Sequence, residues 1–248
     1  MNWKAWIPNS LSLGNLSFGF LSMILASKDY AFVDMPTHQV HLLCGVFIIL
    51  AALFDGLDGP MARLLKVESA LGEQLDSLAD LTTFGLAPAF LMYRMYFHSW
   101  ENEILGFLFP TGMVIALIYP ICAAYRLARF NVSHDPNSFT GLPSPIAGIF
   151  IAIIPIAFNG NPPLLPPAFA TALFLLMAIL MVSNIEYSKP QRTVKEKLTF
   201  VRVLLFLLIL IGLILTLKWN WVMLAVLLLY IFSGIVRAAI DLFQKIRV

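Results

Sequence analysis

Four aspartates, Asp55, Asp58, Asp76 and Asp80, stand at the facing ends of two largely apolar runs. A charged side chain within a membrane-spanning helix costs about 2.5–3.5 kcal/mol on insertion scales, so such residues are read as functional by default. Spacings of three and four place each pair on one helix face. The short turn between the pairs lets the two faces meet. Carboxylates gathered this closely repel one another unless something neutralises them. An all-oxygen donor set suits a hard divalent cation, Mg2+, Mn2+ or Ca2+. No His or Cys is interleaved, which argues against zinc. Two such ions can clamp the attacking and leaving oxygens of a displacement at phosphorus. Gly59, Ala62 and Gly72 clear space for a substrate or a neighbouring backbone. Arg63 offers a planar fork to phosphate oxygens. A lone aspartate at a helix end is ordinarily a cap, but four at these spacings on an apolar hairpin are not.

The elements that must position these residues are membrane helices. The chain has 248 residues, 60% hydrophobic and only 12% charged, with a mean hydropathy of +0.85. Soluble domains carry roughly 25% charged residues. Runs near the ~20 residues that cross a bilayer fill most of the sequence. The pattern predicts an all-α, polytopic membrane helical bundle, one domain over residues 1–248. About eight transmembrane helices are expected, near 10–28, 40–65, 73–98, 103–130, 143–159, 164–184, 200–218 and 220–243. The runs are continuous and do not alternate with period two, so nothing suggests an outer-membrane barrel.

The basic residues orient the bundle. With the N-terminus inside, the cytoplasmic ends hold Lys4, Arg63, Lys66, Arg126, Arg129, Lys189, Arg192, Lys195, Lys197, Arg202, Arg237, Lys245 and Arg247. The other side holds Lys28, Arg94 and Lys218. This positive-inside bias puts both termini and the aspartates on the cytoplasmic side. Trp3 and Trp6 form an interfacial foot, and no cleavable signal peptide is expected. The stretch Lys189 to Lys197 reads as a topology signal in contact with anionic lipid. A net charge of +2 gives no reason to expect nucleic acid as a partner. Cys44 and Cys122 read as small buried hydrophobes, and His38, His41, His98 and His134 as incidental.

The stretch D-G-L-D-G-P-M-A-R, eight residues, then G-E-Q-L-D-S-L-A-D, from Asp55 to Asp80, resembles the signature of the CDP-alcohol phosphotransferase family. Asp55, Asp58, Gly59, Ala62, Arg63, Gly72, Asp76 and Asp80 fill its fixed positions. The resemblance implies a helical bundle that binds a CDP-linked donor and two metal ions, transfers a phosphatidyl-type group to an alcohol and releases CMP. It makes Asp55, Asp58 and Asp76 metal ligands. Asp80 becomes the acceptor of the alcohol's proton, in touch with the second metal. Gly59, Ala62, Arg63 and Gly72 would line the cytidine and diphosphate site, with Ser69 as a further nucleotide contact. The runs L-D-S-L-A-D-L-T-T-F-G-L-A-P-A (75–89), Y-R-L-A-R-F-N (125–131), F-T-G-L-P-S-P (139–145) and P-N-S-L-S-L-G-N-L (8–16) are similar to the phosphatidylserine synthases. That similarity implies CDP-diacylglycerol and L-serine as substrates, and the family implies a homodimer in the cell's inner membrane.

Within that chemistry the protein's work is positioning and charge neutralisation. Serine carries a carboxylate, so its pocket needs a fixed cation. Arg126 and Arg129, with Asn131 as an added donor, are the candidates; the arginines serve equally as positive-inside anchors or as contacts to the donor's phosphates. Asn15 either faces the nucleotide or makes a helix–helix hydrogen bond. Glycerol 3-phosphate or an inositol phosphate as acceptor, or an ether-linked archaeal donor, would use the same machinery. An ion-coupled transporter would place its carboxylates near the midplane and show paired repeats; here they gather at one face and no repeat is evident.

Overall fold

The computed structural model describes residues 3–27, 35–104, 107–133, 138–158, 165–188, 224–234 and 236. After a short 3-10 turn at Trp3–Ala5, α1 (Trp6–Ser27) and α2 (Thr37–Leu65) form an antiparallel hairpin. Hydrogen bonds fasten it along its length. Ser22 Oγ donates to the Cys44 carbonyl at 3.1 Å, and Cys44 Sγ donates to the Ser22 carbonyl at 3.3 Å. The 29 residues of α2, at 1.5 Å rise each, are longer than a ~30 Å hydrocarbon core requires. The helix is thus long enough to carry a turn or more beyond the hydrocarbon core.

Lys66 ends α2 in the left-handed region, φ 54°, with its N–H turned back to the carbonyls of Ala62 and Arg63. Ser69 then caps α3 (Ala70–Asp80), its hydroxyl accepting from the Gly72 N–H at 3.1 Å. This cap reverses the chain within a few residues and returns Asp76 and Asp80 towards α2. The expected third span continues as a π-helical turn (Leu81–Leu86), α4 (Ala87–Met92) and a second π turn (Tyr93–Phe97). Pro88 lacks an N–H to donate into the preceding turn, which fits the break in α-helical pairing there. The first π turn begins directly after Asp80, and such turns recur at functional sites.

The fourth expected span, 103–130, is corrected. Asn102–Ile104 pairs antiparallel with Phe107–Phe109 as strands β1 and β2, and α5 begins only at Thr111, running to Ser133. Pro110 is the cause, because the residue before a proline is driven to extended geometry. A second ladder, β3 (Ser138–Thr140) against β4 (Glu186–Ser188), brings the ends of α5 and α7 together. These two three-residue ladders are the strands among the described residues of an otherwise helical protein.

Two shorter helices complete the core. α6 (Ser144–Ala157) has only 14 residues, and 11 are buried, so it is sheathed by protein and not lipid. Gly45 lets α2 approach it so closely that a Cβ would strike the Ala152 carbonyl oxygen. α7 (Pro167–Val182) packs on α5, where Tyr119 stacks on Phe174 at 4.9 Å. The apolar helix α8 (Leu224–Gly234) sets Leu227 and Ile231 into the same core.

Among the described residues, three helices are long and apolar enough to cross a membrane, within Trp3–Ser27, Thr37–Leu65 and Thr111–Val132. With the shorter apolar helices they make an integral membrane helical bundle. The expected span at 200–218 and the basic stretch Lys189 to Lys197 lie outside the described residues.

Candidate active site

The antiparallel register of α1 and α2 places Ser12 and Asn15 opposite Asp58 and Asp55. Ser12 Oγ donates to Asp58 Oδ2 at 2.7 Å, and Asn15 Nδ2 donates to Asp55 Oδ1 at 3.4 Å. Asp58 also accepts from the Gly59 N–H at 2.5 Å. Second-row contacts of this kind fix carboxylates in orientation before any ion arrives.

α3 supplies the other two carboxylates. Asp55, Asp76 and Asp80 each present an oxygen within 4.8 Å of the others. Asp76 also contacts Asp58, so the four form a continuous cluster. Hard-cation bonds to oxygen run about 2.0–2.6 Å, and two ligands on opposite sides of such an ion stand ~4–5 Å apart. The cluster therefore has the spacing and the donor type of a divalent-cation centre. Oδ1 of Asp80 is buried with no hydrogen-bond partner among the described residues, although the residue is only 8% exposed. A buried anionic oxygen left unpaired is costly, and a cation or a proton donor from a ligand resolves it.

A cleft of about 560 Å³ opens beside Asp58 and Asp76. Gly59, Ala62, Arg63, Ser69 and Gly72 all line it, joined from α1 by Pro8, Asn9 and Ser12. The α2–α3 turn thus gathers the small residues, the arginine and two of the aspartates around one cavity, whose size suits a nucleotide-sized ligand.

The remaining candidates fall elsewhere. Asn15 is fully buried and absent from the cleft lining; its side-chain amide holds Asp55, and Thr83 Oγ1 donates to its backbone carbonyl at 3.0 Å. This is the helix–helix arrangement. Arg126, 6% exposed, is in the electrostatic field of Asp80 and Asp55 and donates to Ser144 Oγ at 3.0 Å. Arg129, one turn on, points away. Its guanidinium donates to the carbonyls of Thr140, Met181, Val182 and Ser183 and to Asn184 Oδ1. Those donors cap the end of α7 and hold the β3 segment to it. Asn131 Nδ2 donates to Ser77 Oγ at 2.9 Å, bracing α5 against α3.

Ser12, Asn9, Ser77 and Ser144 join the site in the structure without a motif of their own in the sequence. Ser12 was within reach: with Asn15 it repeats the three-residue spacing of Asp55 and Asp58, and an antiparallel hairpin pairs like spacings. Ser144 faces Arg126 only because β3 and α6 fold back across α5, which no local pattern announces.

Comparison with known proteins points to one family. A family model described as CDP-alcohol phosphatidyltransferase matches residues 5–185. A protein of Helicobacter pylori (strain ATCC 700392 / 26695) named CDP-diacylglycerol–serine O-phosphatidyltransferase is 34% identical over 209 residues, covering 81% of this chain and 79% of its own. Proteins of the same name from Bacillus subtilis (strain 168) and Methanocaldococcus jannaschii are 34% and 30% identical. These two matches cover 78% and 69% of this chain, and 96% and 78% of theirs.

Proposed function

The chain belongs to the CDP-alcohol phosphatidyltransferase family, and from that premise we propose that it transfers the phosphatidyl group of CDP-diacylglycerol to L-serine, giving phosphatidylserine and CMP. The observation that carries the reading is the convergence of Asp55, Asp76 and Asp80, the second of which also lines a cleft formed with the signature glycines and Arg63.

In this reading Gly59, Ala62, Arg63, Ser69 and Gly72 hold the cytidine and diphosphate. Asp55, Asp58, Asp76 and Asp80 hold two divalent cations, Mg2+ or Mn2+, a site that Ca2+ also fits. Such ions, when bound, neutralise the diphosphate and stabilise the leaving phosphate oxygen. Asp80, at the junction of the carboxylate cluster and Arg126, takes the proton of the serine hydroxyl. The serine oxygen–phosphorus bond forms as the bond between that phosphorus and the CMP oxygen breaks, with no covalent enzyme intermediate. Arg126, steadied by Ser144, faces the serine carboxylate. Arg129 and Asn131 hold the walls of the site in place. Membrane lipids surround one domain over 1–248, placed in the inner membrane with both termini and the site facing the cytoplasm by the positive-inside rule. It works as a homodimer, as the family resemblance implies.

Serine is preferred over glycerol 3-phosphate or inositol phosphate because the relatives named above carry serine in their names. The test is CMP release by purified protein with CDP-diacylglycerol and Mn2+ or Mg2+. Release with serine and not with the other acceptors supports the proposal. Release with another acceptor replaces the substrate and keeps the family.

A further inference from the structure

Two adjacent threonines lie in the π turn that follows Asp80, and their hydroxyls are used differently. Thr82 Oγ1 donates at 3.0 Å to the Leu78 carbonyl, the ordinary bond of a helical threonine to the residue four before it. Thr83 Oγ1 leaves its own helix and donates at 3.0 Å to the backbone carbonyl of Asn15 on α1. Thr83 is fully buried, and Gly19 makes room for it, since a Cβ there would strike the Thr83 hydroxyl and Cα. From α6, Gly148 lies as closely against the backbone of Phe84. The π turn is thus gripped by two helices at positions where only glycine fits.

Asn15 is also the residue whose side-chain amide donates to Asp55 at 3.4 Å. Its amide oxygen has no hydrogen bond among the described residues, so the backbone decides where that amide stands. That same backbone is what Thr83, three residues beyond Asp80, holds. One bond therefore ties the segment leaving Asp80 to the residue that orients Asp55. Those two carboxylates must present oxygens within 4.8 Å of one another and of Asp76, although they stand on different helices. Groups that orient metal ligands from behind act in this way.

We infer that Thr83 is a positioning residue for the metal centre: through the Asn15 carbonyl, its hydroxyl sets the helix that carries Asp80 against α1 and α2 at the separation a divalent cation needs. The inference rests on the metal-dependent transfer reading.

Thr83→Val keeps the shape and removes the donor, while Thr83→Ser keeps the donor. The quantity to measure is the Mn2+ concentration that gives half of the full rise in thermal midpoint, without substrate. It is expected to rise about ten-fold in Thr83→Val, the lower end of what outer-shell partners of metal ligands contribute. Thr83→Ser should stay within about two-fold of wild type. Thr82→Val, which loses a bond within its own helix, should leave the value unchanged. A merely structural bond would lower the midpoint in EDTA without moving this half-point. If Thr83→Val is not recovered folded, Thr83→Ala, which crowds nothing, takes its place. Coincident half-points in wild type and the hydroxyl-free variant overturn the inference, as does a Thr83→Ser as weak as that variant or an equal shift in Thr82→Val. A wild-type protein whose midpoint does not respond to Mn2+ overturns the metal reading and this inference with it.

Discussion

Ser12 on α1 donates a 2.7 Å hydrogen bond to Asp58 on α2, joining residues 46 apart in sequence. The bond sits where the nucleotide cleft meets the carboxylate cluster, and Ser12 lines the cleft while Asp58 lines both. The serine is 3% exposed, so its hydroxyl is committed to this carboxylate and to the Pro8 carbonyl. One small side chain thus couples the first helix to the signature.

Ser12→Ala removes that donor without altering any carboxylate. Outer-shell partners of metal ligands typically contribute 10–100-fold in metal affinity or activity. The divalent-cation concentration for half-maximal CMP release should rise about ten-fold, while kcat at saturating metal stays within a few-fold. A metal titration of wild type and variant reads this directly, and coincident curves would sever Ser12 from the centre.

Removing the cations should affect stability as well as turnover. Four clustered carboxylates repel one another, and a ligand at one hundred times its Kd stabilises the folded state by about 2.7 kcal/mol. For a chain of this size that is a rise of roughly 5–10 °C in thermal midpoint. EDTA should abolish CMP release and lower the midpoint of wild type, with both restored by Mn2+. In Asp55→Asn and Asp76→Asn the midpoint should no longer respond to Mn2+; a full response there would place the ion elsewhere.

The aspartates were legible because their chemistry is local: carboxylates in an apolar hairpin, three and four apart, need no tertiary information to stand out. Two other features show where that legibility ends. Arg126 and Arg129 are one turn apart on α5, some 4.5 Å along the axis. Sequence gave no means of separating them, because the difference lies in what each meets. Arg126 meets the Ser144 hydroxyl within the field of Asp80, while Arg129 meets the carbonyls at the end of α7. The start of α5 was misplaced for a related reason. Leu, Ile and Phe make an apolar strand and an apolar helix look alike, and only Pro110 separates Phe107–Phe109 from the helix beginning at Thr111.

The engagement of Arg129 makes a prediction opposite to that of an acceptor ligand. Arg129→Gln strands several carbonyls at the end of α7, and each buried, unsatisfied group costs about 1–3 kcal/mol. The variant should lose thermal stability or folded yield. Protein that does fold should keep the wild-type serine KM within about two-fold. Gly141 belongs to the same clasp: at φ +82° its missing Cβ leaves room for the Met181 carbonyl and Arg129 Nη2, so Gly141→Ala should be destabilised in the same way. A stable Arg129→Gln with a raised serine KM would return Arg129 to the acceptor pocket.

Asp80 carries the sharpest expectation. Its carboxylate is 8% exposed and touches both Asp55 and the Arg126 guanidinium field, and one of its oxygens lacks a partner among the described residues. Asn at this position keeps the shape and loses the capacity to take a proton. General-base catalysis contributes about 10²–10⁴-fold, so Asp80→Asn should lower kcat by at least a hundred-fold. The nucleotide cleft does not include residue 80, and the variant should still bind CDP-diacylglycerol with a Kd within a few-fold of wild type. If donor binding and turnover fell together, Asp80 would be acting through the metal centre and not as the base. If neither fell, proton removal would belong to another group in the cluster, and Asp76 would be the next to test by the same pair of measurements.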